Sequence, residues 1–173
     1  MVRILKLVLR TILLPLALVG GLGGPLAAQS AAEIAALERG LELMRSGEWD
    51  AALDAAGPRG SIGRDIVQWN RLRASKGTFS ESLEFLRRNP DWPGLSLLRE
   101  RSEKTIPEGT DAATVLDFFL TQKPETGWGS LRFAKALWDT GAKQEAMAEA
   151  IRAWTSFSLS EEEEAQFMVD WPK

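Results

Sequence analysis

Leu43-Met44-Arg45-Ser46-Gly47, followed by Ala52, and Leu137-Trp138-Asp139-Thr140-Gly141, followed by Ala146, are the two stretches whose reading decides the fold. Each closes a run of helical apolar spacing with a glycine and places a small alanine five residues later. Glycine reaches the left-handed backbone conformation that a tight helix stop requires. The alanine lets the next helix approach closely. Both stretches therefore read as helix–turn–helix units. The two glycines stand 94 residues apart, so no strict short period links them.

Helical spacing extends in both directions from these units, and alternating runs of β-branched residues are missing after residue 30. Ala32 to Arg45 carries Ile34, Leu37, Leu41 and Met44 on one stripe, and Trp49 to Ala56 forms a short helix stopped by Gly57-Pro58. Ile62, Ile66 and Trp69 mark another helix, with Lys76-Gly77 as its turn. Ser80 is the expected N-cap of the next, which carries Phe79, Leu83 and Leu86. Asn89-Pro90-Asp91-Trp92-Pro93-Gly94 breaks the pattern. Leu95 to Thr105 follows, then Ala112 to Gln122 behind Asp111, with Val115, Phe118 and Phe119 inward. Pro124 to Gly129 reads as a loop, Leu131 to Thr140 and Lys143 to Phe157 as a helical pair, and Ser160 as the cap of a last helix. The expected fold is all-α: an irregular superhelix of stacked helical hairpins with tetratricopeptide-like mechanics. In such a solenoid no hairpin buries its own apolar face, and neighbours supply the core.

Composition closes much of enzymology. The 173 residues include no Cys, His or Tyr. Disulfides, thiolate chemistry, a lipid-anchor cysteine, the usual zinc sites and a Ser–His–Asp triad are therefore excluded. Residues 1–28 hold Arg3, Lys6 and Arg10 and no acid; without them 18 basic residues face 24 acidic ones. Such a body lacks the basic face that nucleic acid requires, although Arg87 with Arg88 and Arg99 with Arg101 form local basic pairs.

Those first residues follow the order of a cleavable secretory signal peptide. A positive segment is followed by an apolar stretch from Thr11 to Val19, then by the Gly20 to Pro25 breaker and the small Ala27 and Ala28. Cleavage is expected after Ala28, and a cut nearer Ser30 also fits. A spanning helix needs ~20 consecutive apolar residues, and Pro15 with the glycines leaves a shorter run. The expectation is a signal peptide over 1–28, a superhelical domain over 29–173, a periplasmic destination and no stable membrane anchor.

Seven tryptophans and seven phenylalanines stand in a chain without tyrosine. Trp49, Trp69, Trp138 and Trp154 fall in helical patterns and read as packing between hairpins. Trp92 and Trp128 lie in expected loops, where an aromatic face either stacks on sugar or plugs an apolar gap; the plug is the simpler reading.

The succession Gly47-Glu48-Trp49, Gln68-Trp69, Phe85-Leu86 and Asn89-Pro90-Asp91-Trp92-Pro93 resembles the N-terminal region of soluble lytic murein transglycosylases of alphaproteobacterial type. The likeness continues through Leu97-Leu98, Glu103, Pro124-Glu125-Thr126-Gly127-Trp128-Gly129, Ala134 to Ala146 and Ala150-Ile151-Arg152-Ala153-Trp154 to Leu159-Ser160. The resemblance covers residue 35 to the end, carried by the ordered set rather than by any one motif. It implies an α-superhelical ring preceding a lysozyme-like domain. Enzymes of that family cleave peptidoglycan between N-acetylmuramic acid and N-acetylglucosamine without water, leaving a 1,6-anhydro ring. One glutamic acid, in a Glu-Ser-x-Phe context with Gly-Leu-Met-Gln further on, serves as acid and then base.

Glu81-Ser82-Leu83-Glu84-Phe85 is a near match to that context, but it has one residue too many before Phe, and no Gly-Leu-Met-Gln follows. It reads as a decoy on a surface helix, since a general acid also needs a cleft that raises its pKa. Glu161 to Glu164 imitates a carboxylate pair or a calcium loop, but adjacent helical residues diverge and calcium loops alternate their ligands around a glycine. No catalytic residue, cofactor site or metal site is expected, and the catalytic domain is expected to lie outside this chain, as in a fragment. The expected role is the non-catalytic superhelical part of a periplasmic lytic transglycosylase. Its partners would be peptidoglycan glycan strands and other cell-wall proteins, not nucleic acid. The alternative is a free-standing periplasmic helical-repeat adaptor that binds a protein through its concave face. An independent hydrolase ranks last, because no coherent acid, base and nucleophile set exists.

Overall fold

The computed structural model describes residues 25–171, so the signal-peptide reading of 1–28 lies almost wholly outside the described residues. Among these, every regular element is helical: α1 (Pro25–Arg45), α2 (Trp49–Ala55), α3 (Ile62–Arg73), α4 (Phe79–Arg88), α5 (Leu95–Glu103), α6 (Ala112–Phe118), α7 (Gly127–Asp139), α8 (Lys143–Ser156) and α9 (Glu161–Asp170). No described helix is long and apolar enough to cross a membrane. The first helix begins at Pro25 and runs through Ala28, where cleavage was expected.

Local chemistry explains most boundaries. Ser61, Thr78, Asp111, Thr126 and Ser160 each accept a hydrogen bond at the start of a helix from the backbone N–H three residues on, satisfying donors that a helix end leaves free. Two capped starts differ from the sequence reading. Thr78, not Ser80, caps α4. Its hydroxyl accepts from the Glu81 N–H at 3.2 Å, and Glu81 accepts from the Thr78 N–H at 2.7 Å. That is the reciprocal Thr-x-x-Glu box, and it draws Phe79 into the helix. Likewise α7 starts at Gly127, because the Thr126 hydroxyl accepts from the Gly129 N–H at 3.0 Å. The expected loop over Pro124 to Gly129 is therefore half helix.

The turns at Gly47 and Gly141 share one geometry. Both glycines have positive φ, +83° and +90°. Glu48 N–H reaches Leu43 O at 3.0 Å, and Ala142 N–H reaches Leu137 O at 2.9 Å, the six-residue closure of a Schellman stop. A second tight bond, from Trp49 N–H to Gly47 O and from Lys143 N–H to Gly141 O, turns the chain straight into the next helix. Ala52 and Ala146 are then fully buried. The turn at 75–77 is a variant. Here Ser75 takes the left-handed conformation at φ 57°, not Gly77. Gly77 is required for closeness instead, since a Cβ there would lie 2.3 Å from Leu72 Cδ2.

Packing links helices two apart as well as neighbours. α1 lies on α2 and α3, α3 on α4 and α5, α6 on α7, and α7 on α8 and α9. The larger core joins Leu72, Phe79, Phe85, Leu86, Leu98, Ile106, Val115, Phe118, Phe119 and Ala136. Edge-to-face contacts run through it, Phe79–Phe118 at 5.1 Å and Phe118–Phe119 at 4.9 Å. A smaller cluster of Ala52, Leu53, Ala56 and Val67 seals α1, α2 and α3. Each fully buried Leu, Val or Phe contributes about 1.5–3 kcal/mol. The helical stripes were not all inward, however. Ile34 and Ile62 are exposed, and α3 buries Gly63, Asp65, Val67 and Leu72 in place of Ile62.

Candidate functional site

The densest polar centre surrounds the start of α7. Glu103, the last residue of α5, is 1% exposed. Its carboxylate accepts from the Glu125 N–H at 2.9 and 3.0 Å, the Thr126 N–H at 2.8 Å and the Thr126 hydroxyl at 2.6 Å. A negative group at the free N–H donors of a helix N-terminus is favourable for both the hydrogen bonds and the dipole. Burial raises the Glu103 carboxyl above the ordinary glutamate range, against the pull of its Thr126 and Glu125 hydrogen bonds.

Neighbouring groups fix the same segment from its other sides. A Cβ on Gly129 would sit 2.3 Å from Glu103 Oε2, and one on Gly127 would sit 2.4 Å from Leu159 Cδ2. Trp128 donates from Nε1 to Ile106 O at 2.9 Å, and the Arg132 guanidinium covers its ring at 4.4 Å. Arg132 also pairs with Asp170 at 3.2 Å, both side chains more than nine-tenths buried, which ties α9 to α7. From α8, Arg152 donates to Pro124 O at 3.2 Å and to the Ser130 hydroxyl at 3.3 Å, and it pairs with Glu149, which Ser130 also meets. Every oxygen of Glu103 is thus engaged by the chain itself. This geometry fastens α5, α7, α8 and α9 together and presents no open face to a substrate.

Glu81 stands in a different setting. With Arg59, Arg64, Asp65, Gln68, Glu84 and Arg88 it lines an open groove of about 310 Å³ between α2, α3 and α4. Burial acts to raise its pKa, but the Thr78 N–H and the Arg71 guanidinium, 2.7 Å away, outweigh burial and lower it. A general acid at neutral pH needs the opposite shift. Most other charges of the groove are paired within the chain: Arg88 grips Asp65 at 2.9 and 3.2 Å, and Arg64 donates to Leu53 O at 2.7 Å.

Glu161 to Glu164 fan around the first turn of α9, where Glu163 closes a capping box with Ser160 through bonds of 2.8 and 3.3 Å. Among the described residues no group of three acidic side chains gathers as metal ligands. The aromatic expectations divide. Trp92 packs edge-on against Phe85 at 5.3 Å and Trp69 at 6.2 Å, and Trp69 donates to Pro93 O at 3.0 Å. Trp92 and Trp128 are therefore plugs. Trp138 and Trp154, expected between hairpins, do pack against the α9 end of the chain, Trp138 edge-on with Trp171 at 5.2 Å, but remain 38% and 48% exposed. Lys143 lies over the Trp138 ring at 3.5 Å, and Phe167 leans on Trp154 at 4.9 Å.

Sequence reasoning passed over the buried charges Asp65 and Arg132, because in sequence they look like ordinary surface residues. Glu103 was visible only as part of the family likeness. Comparison with protein-family models, curated proteins and solved structures gives no match to this chain.

Proposed function

We propose that this chain is the non-catalytic superhelical part of an exported lytic transglycosylase, a scaffold that helps to position peptidoglycan glycan strands in the periplasm. One observation carries the reading: the residues that bear the family likeness are the joints of this fold. Glu103 meets the Pro124 to Gly129 segment, Trp69 meets Pro93, and Trp92 meets Phe85. A likeness concentrated in joints supports shared architecture rather than a shared reaction. The packing of α1 with α3, α3 with α5 and α7 with α9 supports stacked hairpins, the arrangement of a solenoid. The ion-paired state of Glu81 supports a decoy rather than an acid catalyst.

The test is co-sedimentation of the purified chain with insoluble peptidoglycan, followed by analysis of the released sugars. Binding without anhydro-muropeptide release is expected. Failure to sediment would remove the glycan role, and release of 1,6-anhydro products would make the chain catalytic. The adaptor reading keeps one supporting observation, the exposed apolar side chains of α8 and α9.

A further inference from the structure

α4 and α6 meet through Phe79 and Phe118, whose rings lie 5.1 Å apart edge to face. Beside that contact the two helices part, and with Arg99 of α5 they line an open groove of about 730 Å³. Ser80, Leu83, Glu84 and Arg87 face it from α4, at the i, i+3, i+4 and i+7 spacing of one helix face. Ala113, Thr114 and Asp117 face it from α6. Further helices flank it on both sides, α3 against α4 and α7 against α6, so its walls are complete within the described residues. A concave apolar wall set with a few polar groups is the usual form of a ligand site.

The groove holds more cation than its own acids answer. Glu84 pairs with Arg88 at 3.7 Å, and the Thr114 hydroxyl is bonded to Asp111. Arg87 is exposed and has no hydrogen bond or ion pair among the described residues. Arg99 is half-buried; it donates to Phe118 O at 2.8 Å and lies over the Phe118 ring at 5.4 Å. A guanidinium carries five donors, so most of those on Arg99 are unused. Burial lowers its pKa, and Asp117 opposes this only from beyond ion-pair contact. Arg71, Arg88, Arg132 and Arg152, by contrast, each hold a carboxylate. Two arginines thus face the single free acid Asp117.

We propose that the groove between α4 and α6 binds the free carboxyl end of a peptide whose last side chain is apolar. Arg87 and Arg99 hold the carboxylate, for which the planar guanidinium fork is the matching donor. The apolar side chain lies against Leu83, Leu86 and Phe118. An acyl anion would also satisfy the arginines, but it would set hydrocarbon against the Ser80 hydroxyl and the Asp117 carboxylate, and an unmet polar group is costly. A peptide backbone brings C=O and N–H groups to those two places. The assignment is independent of the glycan reading.

The experiment uses the full chain and a fluorescein-labelled hexapeptide, Gly-Ser-Gly-Ala-Leu-Phe, with its C-terminus either free or amidated, read by polarisation. The free acid is expected to bind about tenfold more tightly than the amide. Arg87→Gln, a change at an exposed side chain that leaves circular dichroism intact, removes most of that preference. Equal binding of the free acid and the amide overturns the proposal, as do binding of neither and a preference that Arg87→Gln leaves untouched. Octanoate supplies the remaining arm. It is expected to displace the labelled peptide less well than the unlabelled peptide does; stronger displacement gives the groove to an acyl chain and overturns the peptide assignment.

Discussion

The α1–α2 and α7–α8 hairpins make the same turn and meet different neighbours. Their glycine stops, their double hydrogen-bond closures and their buried Ala52 and Ala146 superpose residue for residue at a constant offset. Beyond the turn the two diverge. Gly40 of α1 lies so close to α2 that a Cβ would fall 2.7 Å from Ala56 Cβ and 3.0 Å from Ala52 O. At the matching place α7 has Ala134, which is fully buried. Leu53 is sealed, and its counterpart Met147 is open. The difference teaches that a turn belongs to its own half-dozen residues, whereas burial belongs to whatever is stacked on top.

The largest test of that contrast is truncation at the matched pair. Leu53→Ala is expected to cost about 2–5 kcal/mol, and Met147→Ala to stay within about 0.5 kcal/mol, both by urea denaturation. Similar losses at the two sites would mean that α8 is covered after all. Next comes the close approach: Gly40→Ala should destabilise by about 1–3 kcal/mol, because backbone and Ala56 must move apart. Ala134→Gly should cost about 1–2 kcal/mol, through helix propensity and the loss of a buried methyl group. A neutral Gly40→Ala would show that α1 and α2 have slack. The turns themselves should respond alike. Gly47→Ala and Gly141→Ala each place a Cβ at positive φ and should each lose about 1 kcal/mol in thermal melts. Clearly unequal losses would break the equivalence of the two hairpins.

The smallest effect concerns pH and lies in the second hairpin, where α7 begins over the buried Glu103 carboxylate. The folded pKa of Glu103 is raised, so its stabilising contribution is complete below the unfolded glutamate value and declines as pH rises through the folded one. The gap in melting temperature between the native chain and Glu103→Gln should therefore be widest at acidic pH and narrow as pH rises. Glu81, held low by the Thr78 N–H and Arg71 against burial, has the opposite sign: its contribution is present above the unfolded value and is lost as pH falls through the folded one. A gap that widens with pH would place Glu103 with Glu81.

Much of this was legible before any coordinates. Gly47 and Gly141 announced their turns because one backbone conformation there nearly demands glycine. Asp111 and Ser160 announced their helices because a side-chain oxygen three residues ahead of a free N–H has one natural use. Thr78 was missed in favour of Ser80, although Thr78 to Glu81 held the box spacing, because two hydroxyl residues competed and the apolar stripe was read first. Trp138 and Trp154 pack as expected on the α9 end but stay partly open, for a deeper reason. Helical spacing says that residues share a face and is silent about whether anything lies against it. Asp65 and Arg132 were out of reach altogether, since each is compensated by a partner 23 or 38 residues away.

By itself the sequence determined the all-helical class, the two glycine turns and most helix starts, because these follow from φ preference, N–H satisfaction and apolar period within a few residues. Only the tertiary structure decided which stripes became core, which carboxylate was locked at the start of α7 and which was left in an open groove. Burial and pKa depend on groups brought together from distant parts of the chain, and no local rule states where those groups will meet.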